Sequence, residues 1–371
     1  MARALVLARR GMGATRPNPP VGAVLLRDGA ILGEGHHEAA GKDHAEIAAL
    51  KQAGERARGA ELFVTLAPCN HHGRTPPCAP EIVRAGVVRV HVGALDPNRG
   101  SGDGIAALRQ AGIEVQLGPR RREAEHLIAG FASLVERRRP RIAVKLAASL
   151  DGRIATAAGD SRWISSEAAR AWVHRRRREA DAILVGSGTA LKDNPQLTVR
   201  SVRGRSPDRF VLDPKLRTPP AARMWAQDGA RRVAVTTESA PAEAVGALRG
   251  RGVEVWTLQA DRHGRPDLEA LAARMGEEGY TNLLVEGGGG VAGALFEAQL
   301  VDVAWVVLAR HVLLGGGGPG WTEGLRVSSV ARAPKIARTD LRRLGPDWLV
   351  TLVPEAAEWW DPEIAYVQRH H

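Results

Sequence analysis

Apolar and polar positions along this chain repeat with two periods, near two and near 3.6 residues, and the switches between them mark out elements. Residues 21–26 and 30–35 read as two strands of a hairpin turned at Arg27-Asp28-Gly29. Residues 44–54, with Ala45, Ile47, Ala48, Ala49 and Leu50, read as a helix that the stretch Gly41-Lys42-Asp43 can start. A strand at 61–66, a helix at 79–85, a strand at 87–92, a helix at 104–111 and a strand at 113–117 continue the alternation, which predicts a layered α/β domain.

A helix over 120–138 then runs into Arg137-Arg138-Arg139-Pro140-Arg141, where proline and the charge run mark either a domain boundary or a solvated linker. Strands at 142–148, 182–185, 209–212, 232–236, 253–258, 282–285, 301–308 and 348–353, with helices between several of them, form a second α/β series. The expected division is 1–140, 141–355 and a tail, 356–371, whose Trp359-Trp360 and His370-His371 fit neither pattern.

Composition narrows the class. The first residues, MARALVLARR, are a charged amphipathic start without the long apolar core of a signal peptide, and no apolar run approaches the ~20 residues of a membrane span. The expectation is a cytoplasmic protein that uses no membrane. The formal net charge is +11, carried mostly by arginine. The arginines are dispersed and aromatics are scarce, so no basic and aromatic platform for single strands is visible. The charge favours small anionic substrates such as phosphates over nucleic acid.

The only two cysteines, Cys69 and Cys78, lie downstream of His44-Ala45-Glu46. One imidazole and two thiolates leave the fourth tetrahedral position of a zinc ion open for water, as catalytic sites require. A carboxylate two residues after the histidine can then move protons between that water and a leaving amine. Residues two apart diverge in mid-helix, so His44 and Glu46 can converge only at a helix start. Cys78 also opens a helix, where the dipole favours thiolate. A disulfide, or a closed structural zinc with His71 or His72 as fourth ligand, are the competing readings of these cysteines.

These residues carry a resemblance. Segments 15–24 (TRPNPPVGAV), 44–46 (HAE), 65–78 (TLAPCNHHGRTPPC) and 96–98 (DPN) resemble the deaminase half of the bifunctional deaminase-reductase family of riboflavin biosynthesis. Nucleic-acid deaminases space their cysteines Cys-x-x-Cys; the longer stretch here, with Gly73-Arg74-Thr75-Pro76-Pro77, resembles the riboflavin branch. Segments 144–153 (VKLAASLDGR), 161–165 (SRWIS), 193–200 (DNPQLTVR) and 285–288 (VEGG) resemble its reductase half. The family usually has glutamate where this chain has Ala67, serine where it has Asn70 and serine at Pro214.

The resemblance implies a cytidine-deaminase-like α/β/α layered domain followed by a dihydrofolate-reductase-like α/β domain. It implies one zinc ion per chain on His44, Cys69 and Cys78, Glu46 as the proton shuttle, and Asn18 on the pyrimidine. By position, Ser161, Arg177, Leu197, Arg200 and Glu286 fall on substrate contacts. Ala147, Trp163, Thr189, Asp193 and the turn of Gly288, Gly289, Gly290, Val291, Ala292, Gly293 and Ala294 fall on contacts to NADPH. The implied partners are a phosphorylated pyrimidine, NADPH and a second copy of the chain.

Read without the resemblance, several of these residues have plainer explanations. Asn18 suits a turn between prolines, Asp151-Gly152 a hairpin turn, Arg175 to Arg178 a solvated charge run, and both glycine clusters, 287–290 and 315–318, flexible loops. The competing function is a nucleic-acid deaminase with an RNA-binding module; a zinc-stabilised interaction protein is the non-enzymatic one.

Overall fold

Why the first half forms one sheet follows from where its small residues fall. The computed structural model describes residues 1–73 and 75–360, and these fall into two units, Met1–Arg138 with Trp360, and Arg139–Trp359. In the first unit α1 (Ala2–Gly11) precedes the hairpin β1 (Gly22–Arg27) and β2 (Ala30–His36). There follow α2 (Ala45–Ala53), β3 (Glu61–Leu66), α3 (Cys78–Arg84), β4 (Arg89–Ala94), α4 (Gly104–Gln110), β5 (Glu114–Leu117) and α5 (Arg121–Arg137). The sheet runs β2-β1-β3-β4-β5, antiparallel at β1 and parallel from β3 to β5.

Helix α1 touches α5, while α2 touches α3 and α3 touches α4, so the five helices clothe the sheet in two sets. The first residues are thus a helix, not merely an amphipathic start: Ala4, Leu5, Leu7 and Ala8 are buried on one face. Helix α2 lies directly on β2 because β2 offers glycine there. A Cβ on Gly33 would sit 2.2 Å from the Ala49 carbonyl oxygen, and one on Gly35 2.2 Å from that of Ala45. Contacts below 3 Å to backbone cannot be relieved by turning a side chain.

The second unit contains β6 (Arg141–Ser149), α6 (Glu167–Glu179), β7 (Ala182–Gly186), α7 (Ser187–Asp193), β8 (Asp208–Leu212), β9 (Arg232–Thr236), α8 (Ala242–Arg249) and β10 (Glu254–Thr257). It continues with α9 (Leu268–Glu277), β11 (Asn282–Val285), α10 (Gly289–Glu297), β12 (Val303–Ala309), β13 (Ile336–Leu344) and β14 (Asp347–Pro354). Its nine strands run β10-β9-β8-β7-β11-β6-β12-β14-β13, parallel except where β14 meets its two neighbours. Central strands such as β7 are buried along their whole length, as parallel strands covered on both faces should be.

Two expectations change. Strand β13 has no counterpart in the hydrophobic pattern because eight of its nine residues are exposed. It exists because Gly345, at φ 63°, turns the chain tightly back along β14. The run at 137–141 is not simply a solvated linker either. Arg139 is buried, and its guanidinium donates to both carboxylate oxygens of Asp302 at 2.7 and 3.0 Å. Of the expected tail, residues 356–360 belong to a 3-10 turn, Glu355–Trp360, and 361–371 lie outside the described residues.

The close seat of α2 gives a test. Gly35→Ala is expected to lift α2 from β2, costing roughly 1–3 kcal/mol as an overpacked contact does, and to lower bound zinc. Thermal unfolding together with metal content measured on the purified variant checks both.

Candidate functional site

Three elements bring chemistry to one point of the first unit. His44 is the residue that precedes α2, Glu46 stands in that helix's first turn, and Cys78 is the first residue of α3. Cys69 follows β3, and its carbonyl accepts from Ala79 N at 3.1 Å, which ties the cysteine loop to the start of α3. His44 Nδ1 lies 3.2 Å from Cys78 Sγ and 3.6 Å from Cys69 Sγ. All three ligand atoms lie within 4.8 Å of one another. The other ring nitrogen, Nε2, meets the Thr75 hydroxyl at 3.1 Å, which fixes the ring.

The donor set fits zinc. Two thiols this close share one charge: the hydrogen bond from Cys78 holds Cys69 down to about 4, and the same contact together with burial pushes Cys78 up. A divalent cation replaces that shared proton and lets both sulfurs ionise. Glu46 is 4 % exposed, and burial raises its pKa against the pull of His44. A carboxyl tuned upward in this way holds a proton more readily than an ordinary glutamate, as a proton shuttle requires. Asp96 is likewise raised by burial.

The competing readings of the cysteines fail here. Both thiols are free, His71 Nδ1 meets the Ser101 carbonyl oxygen at 3.0 Å, and His72 is exposed. Among the described residues only His44, Cys69 and Cys78 form a metal-holding group. Asn18 stands in a turn and touches His37: its N–H bonds the Thr15 carbonyl, and its Nδ2 lies 3.0 Å from His37 Nε2. Ala67 is half-buried with its N–H on Ala94, and Asn70 is exposed.

In the second unit Arg177 leaves the charge run of α6 and pairs with Glu286, which follows β11. Its Nε and Nη2 donate to the two carboxylate oxygens at 2.7 and 2.8 Å, and Nη1 donates to the Thr198 carbonyl at 3.1 Å. Both side chains are 12 % exposed, so the solvated reading of this arginine is wrong. Burial opposes the Glu286 charge, but Arg177 outweighs it and holds the carboxyl below its ordinary range. Lys145 faces the same pair from β6, and burial lowers its pKa. That lysine interrupts the apolar run of β6 between Val144 and Leu146, a signal already present in the sequence.

Leu197 is buried with φ 57°, and the exposed Arg200 leans on Gln196 while its N–H bonds His174 Nδ1. Ser161 N–H is not engaged by a helix, and its carbonyl accepts from Ile164. Arg162 donates to the carbonyl of Asp193 at the end of α7, Trp163 stands exposed with Arg170 4.6 Å from its ring centre, and Ala147 pairs with Val307. No hydrogen bond or ring contact among the described residues joins Trp163 to the Arg177 pair.

The first glycine cluster is not a flexible loop. Gly288 precedes α10, and the next two glycines begin it. A Cβ on Gly290 would meet nothing, and one on Gly288 only Thr189 Oγ1 at 3.7 Å, so backbone N–H groups stand open at a helix start, a fitting cradle for phosphate oxygens. Gly289 and Gly293 face elsewhere: a Cβ on either would strike the Gly320 or Glu323 carbonyl, at 2.2 and 2.6 Å. Val291 packs over Gly287 and Ala292 lies in the core, leaving Ala294 half-buried. Cluster 315–318 is a loop, and it is anchored. Asp151, at its own turn, accepts from the Ser149 hydroxyl and from Leu314 and Gly315 N–H, which holds its carboxyl down to about 2.

Removing the Glu286 charge leaves Arg177 buried without its counter-ion. Glu286→Gln is expected to cost about 3–5 kcal/mol at neutral pH. Because the native pKa is depressed, the parent's advantage is complete above the ordinary glutamate value of about 4.3 and is lost as pH falls below it. Denaturant unfolding of parent and variant at neutral and acid pH checks that the gap closes.

Comparison with known proteins accounts for both halves of the chain. The family described as "RibD C-terminal domain" matches residues 140–350, and "Cytidine and deoxycytidylate deaminase zinc-binding region" matches residues 1–94. The chain is 41 % identical over 354 residues to the "Riboflavin biosynthesis protein RibD" of Aquifex aeolicus, covering 94 % of this chain and 96 % of that one. It is 42 % identical over 368 residues to that of Escherichia coli, covering 95 % and 98 %. A crystal structure from Thermotoga maritima, described as a diaminohydroxyphosphoribosylaminopyrimidine deaminase/5-amino-6-(5-phosphoribosylamino)uracil reductase, superimposes with TM-score 0.83 at 36 % identity over 95 % of this chain and 97 % of that one. A reductase half therefore occupies the place where an RNA-binding module would stand, and the chain belongs to the RibD family, the bifunctional deaminase/reductases of riboflavin biosynthesis.

Proposed function

We propose that this chain deaminates 2,5-diamino-6-(5-phosphoribosylamino)pyrimidin-4(3H)-one and then reduces the ribosyl group of the product with NADPH, giving 5-amino-6-(5-phosphoribitylamino)uracil. The observation that carries the reading is the convergence of His44, Cys69 and Cys78 within 4.8 Å beside a buried Glu46. Residues 1–140 supply the deaminase and 141–355 the reductase. The chain works in the cytoplasm, as a homo-oligomer, without nucleic acid or membrane. Among the described residues no helix is long and apolar enough to cross a bilayer.

His44, Cys69 and Cys78 would hold a zinc ion, which when bound would supply the acidity that activates a water for attack. Glu46 takes one proton from that water and gives it to the departing amine, so water adds to the C2 carbon and ammonia leaves. Its raised pKa suits both halves of this transfer. Asn18 holds the pyrimidine in place.

NADPH, when bound, would supply a hydride for ribose C1, and a proton must reach the ring oxygen as the sugar opens. The open helix start at Gly288 and Gly290 binds the dinucleotide with Thr189, Asp193, Trp163 and Ala147, while Gly289, Val291, Ala292, Gly293 and Ala294 shape that start from behind. Ser161, Leu197 and Arg200 bind the substrate with the Arg177–Glu286 pair, Arg200 as a phosphate clamp. Lys145, beside that pair, gives the proton.

Supplying the diaminopyrimidinone phosphate to zinc-loaded protein should release ammonia and consume NADPH in equal amounts. Ammonia without NADPH loss rejects the reductase reading, and silence in both rejects the whole. Glu46→Gln is expected to retain zinc yet slow ammonia release by ~10²–10⁴-fold, leaving NADPH oxidation intact on substrate already deaminated.

Lys145→Met should do the reverse, sparing ammonia release and stopping NADPH oxidation. In the parent the active form is the protonated lysine, and its pKa is lowered by burial. Reduction is therefore expected to fall with rising pH below the ordinary lysine value of about 10.4. A pH–rate profile on the deaminated substrate checks this.

A further inference from the structure

The hydrogen bonds around Asn18 fix more than its position. His37 is 2 % exposed and lies edge-on to His44, with ring centres 5.5 Å apart. Its Nδ1 is 3.0 Å from the Asp43 carbonyl oxygen, and its Nε2 is 3.0 Å from Asn18 Nδ2. A backbone carbonyl can only accept, so Nδ1 carries the proton. In the neutral ring Nε2 is then an acceptor, and the Asn18 amide must offer it an N–H. That settles which way the amide faces, a choice an isolated asparagine leaves free. Its Oδ1 has no partner among the described residues and is left to receive one.

Resting on the reading of Asn18 as a substrate contact, we propose that His37 is a positioning residue for the deaminase. Through its Nδ1–H tautomer it turns Asn18 so that the amide presents an acceptor to the pyrimidine. The site thereby selects rings that offer an N–H or amino donor at this point and disfavours those that offer a carbonyl. His37 itself touches neither the reacting atoms nor the metal. It acts on orientation, from a chain segment that ends where α2 begins, so the same Asp43 carbonyl that sets its tautomer immediately precedes the ligand His44.

The test is a double-mutant cycle in the zinc-loaded full chain with ammonia release as the signal. His37→Phe keeps the ring's bulk and removes both hydrogen bonds. It is expected to raise KM and lower kcat/KM by roughly 10–100-fold, the usual effect of losing an orienting partner, with zinc content unchanged. Asn18→Ala should lose about as much, and the double variant no more than Asn18→Ala alone. His37→Gln, which can still accept from Asn18 Nδ2, should recover part of the loss.

Additive losses, or zinc lost with His37, overturn the positioning role. Parental kcat/KM in Asn18→Ala shows instead that Asn18 is no substrate contact, and the inference falls with that reading. A direct measurement covers the case in which His37→Phe does not fold. The ¹⁵N shifts of the parent's His37 ring, assigned from its resonance missing in His37→Gln, should show Nδ1 protonated and Nε2 bare; the opposite tautomer overturns the proposal.

Discussion

The deaminase site depends on how closely one helix can approach one strand. The glycines of β2 let the backbone of α2 rest on the sheet at a distance no side chain would permit, and the helix start is thereby fixed. Everything that matters then happens within one turn: His44 before the helix, Glu46 inside it, and Cys78 entering from a second helix start. Both helices point their N-terminal dipoles at the same place, which favours the anionic forms that a cation needs around it. Hydrophobic burial of Ala45 and Ala49 supplies the force, and the glycines supply the geometry.

The reductase half solves a different problem, keeping ions where water is scarce. Arg177 and Glu286 are separated by 109 residues in the chain and meet as a planar, two-bond pair. Such a pair gains little net stability over apolar residues, because desolvation consumes much of the attraction. Its value lies in fixing orientation and in setting the field that Lys145 feels. Arg139 and Asp302 repeat the arrangement where the second unit begins, there as part of the framework, since Asp302 also accepts from Ile142 N–H.

What the sequence makes legible follows from how local each cause is. The zinc ligands, Glu46 and the helix starts are written in short segments, and the strands of the buried sheets in unbroken apolar runs, so both are readable without coordinates. Strand β13 has no such run, since nearly every side chain points to water and only its pairing with β14 defines it. Arg177 looks like its three basic neighbours until α6 is packed beside Glu286. His37 and Lys145 become meaningful only through partners that the fold brings to them. The roles proposed for the reductase residues rest on likeness to a family, because no short motif encodes them.

The glycines at the start of α10 carry one further consequence. Gly288 and Gly290 face open space, while Gly289 and Gly293 are pressed against the chain at 320–325, whose preceding loop is held by Asp151. One short run thus meets two unrelated demands, an open helix start on one side and room for the protein's own backbone on the other. Variation tolerated at one pair says nothing about the other. On the proposed cofactor role, a substitution at Gly289 would act on dinucleotide binding by displacing a neighbouring loop, and the residue would look like a contact in any assay that measures affinity alone.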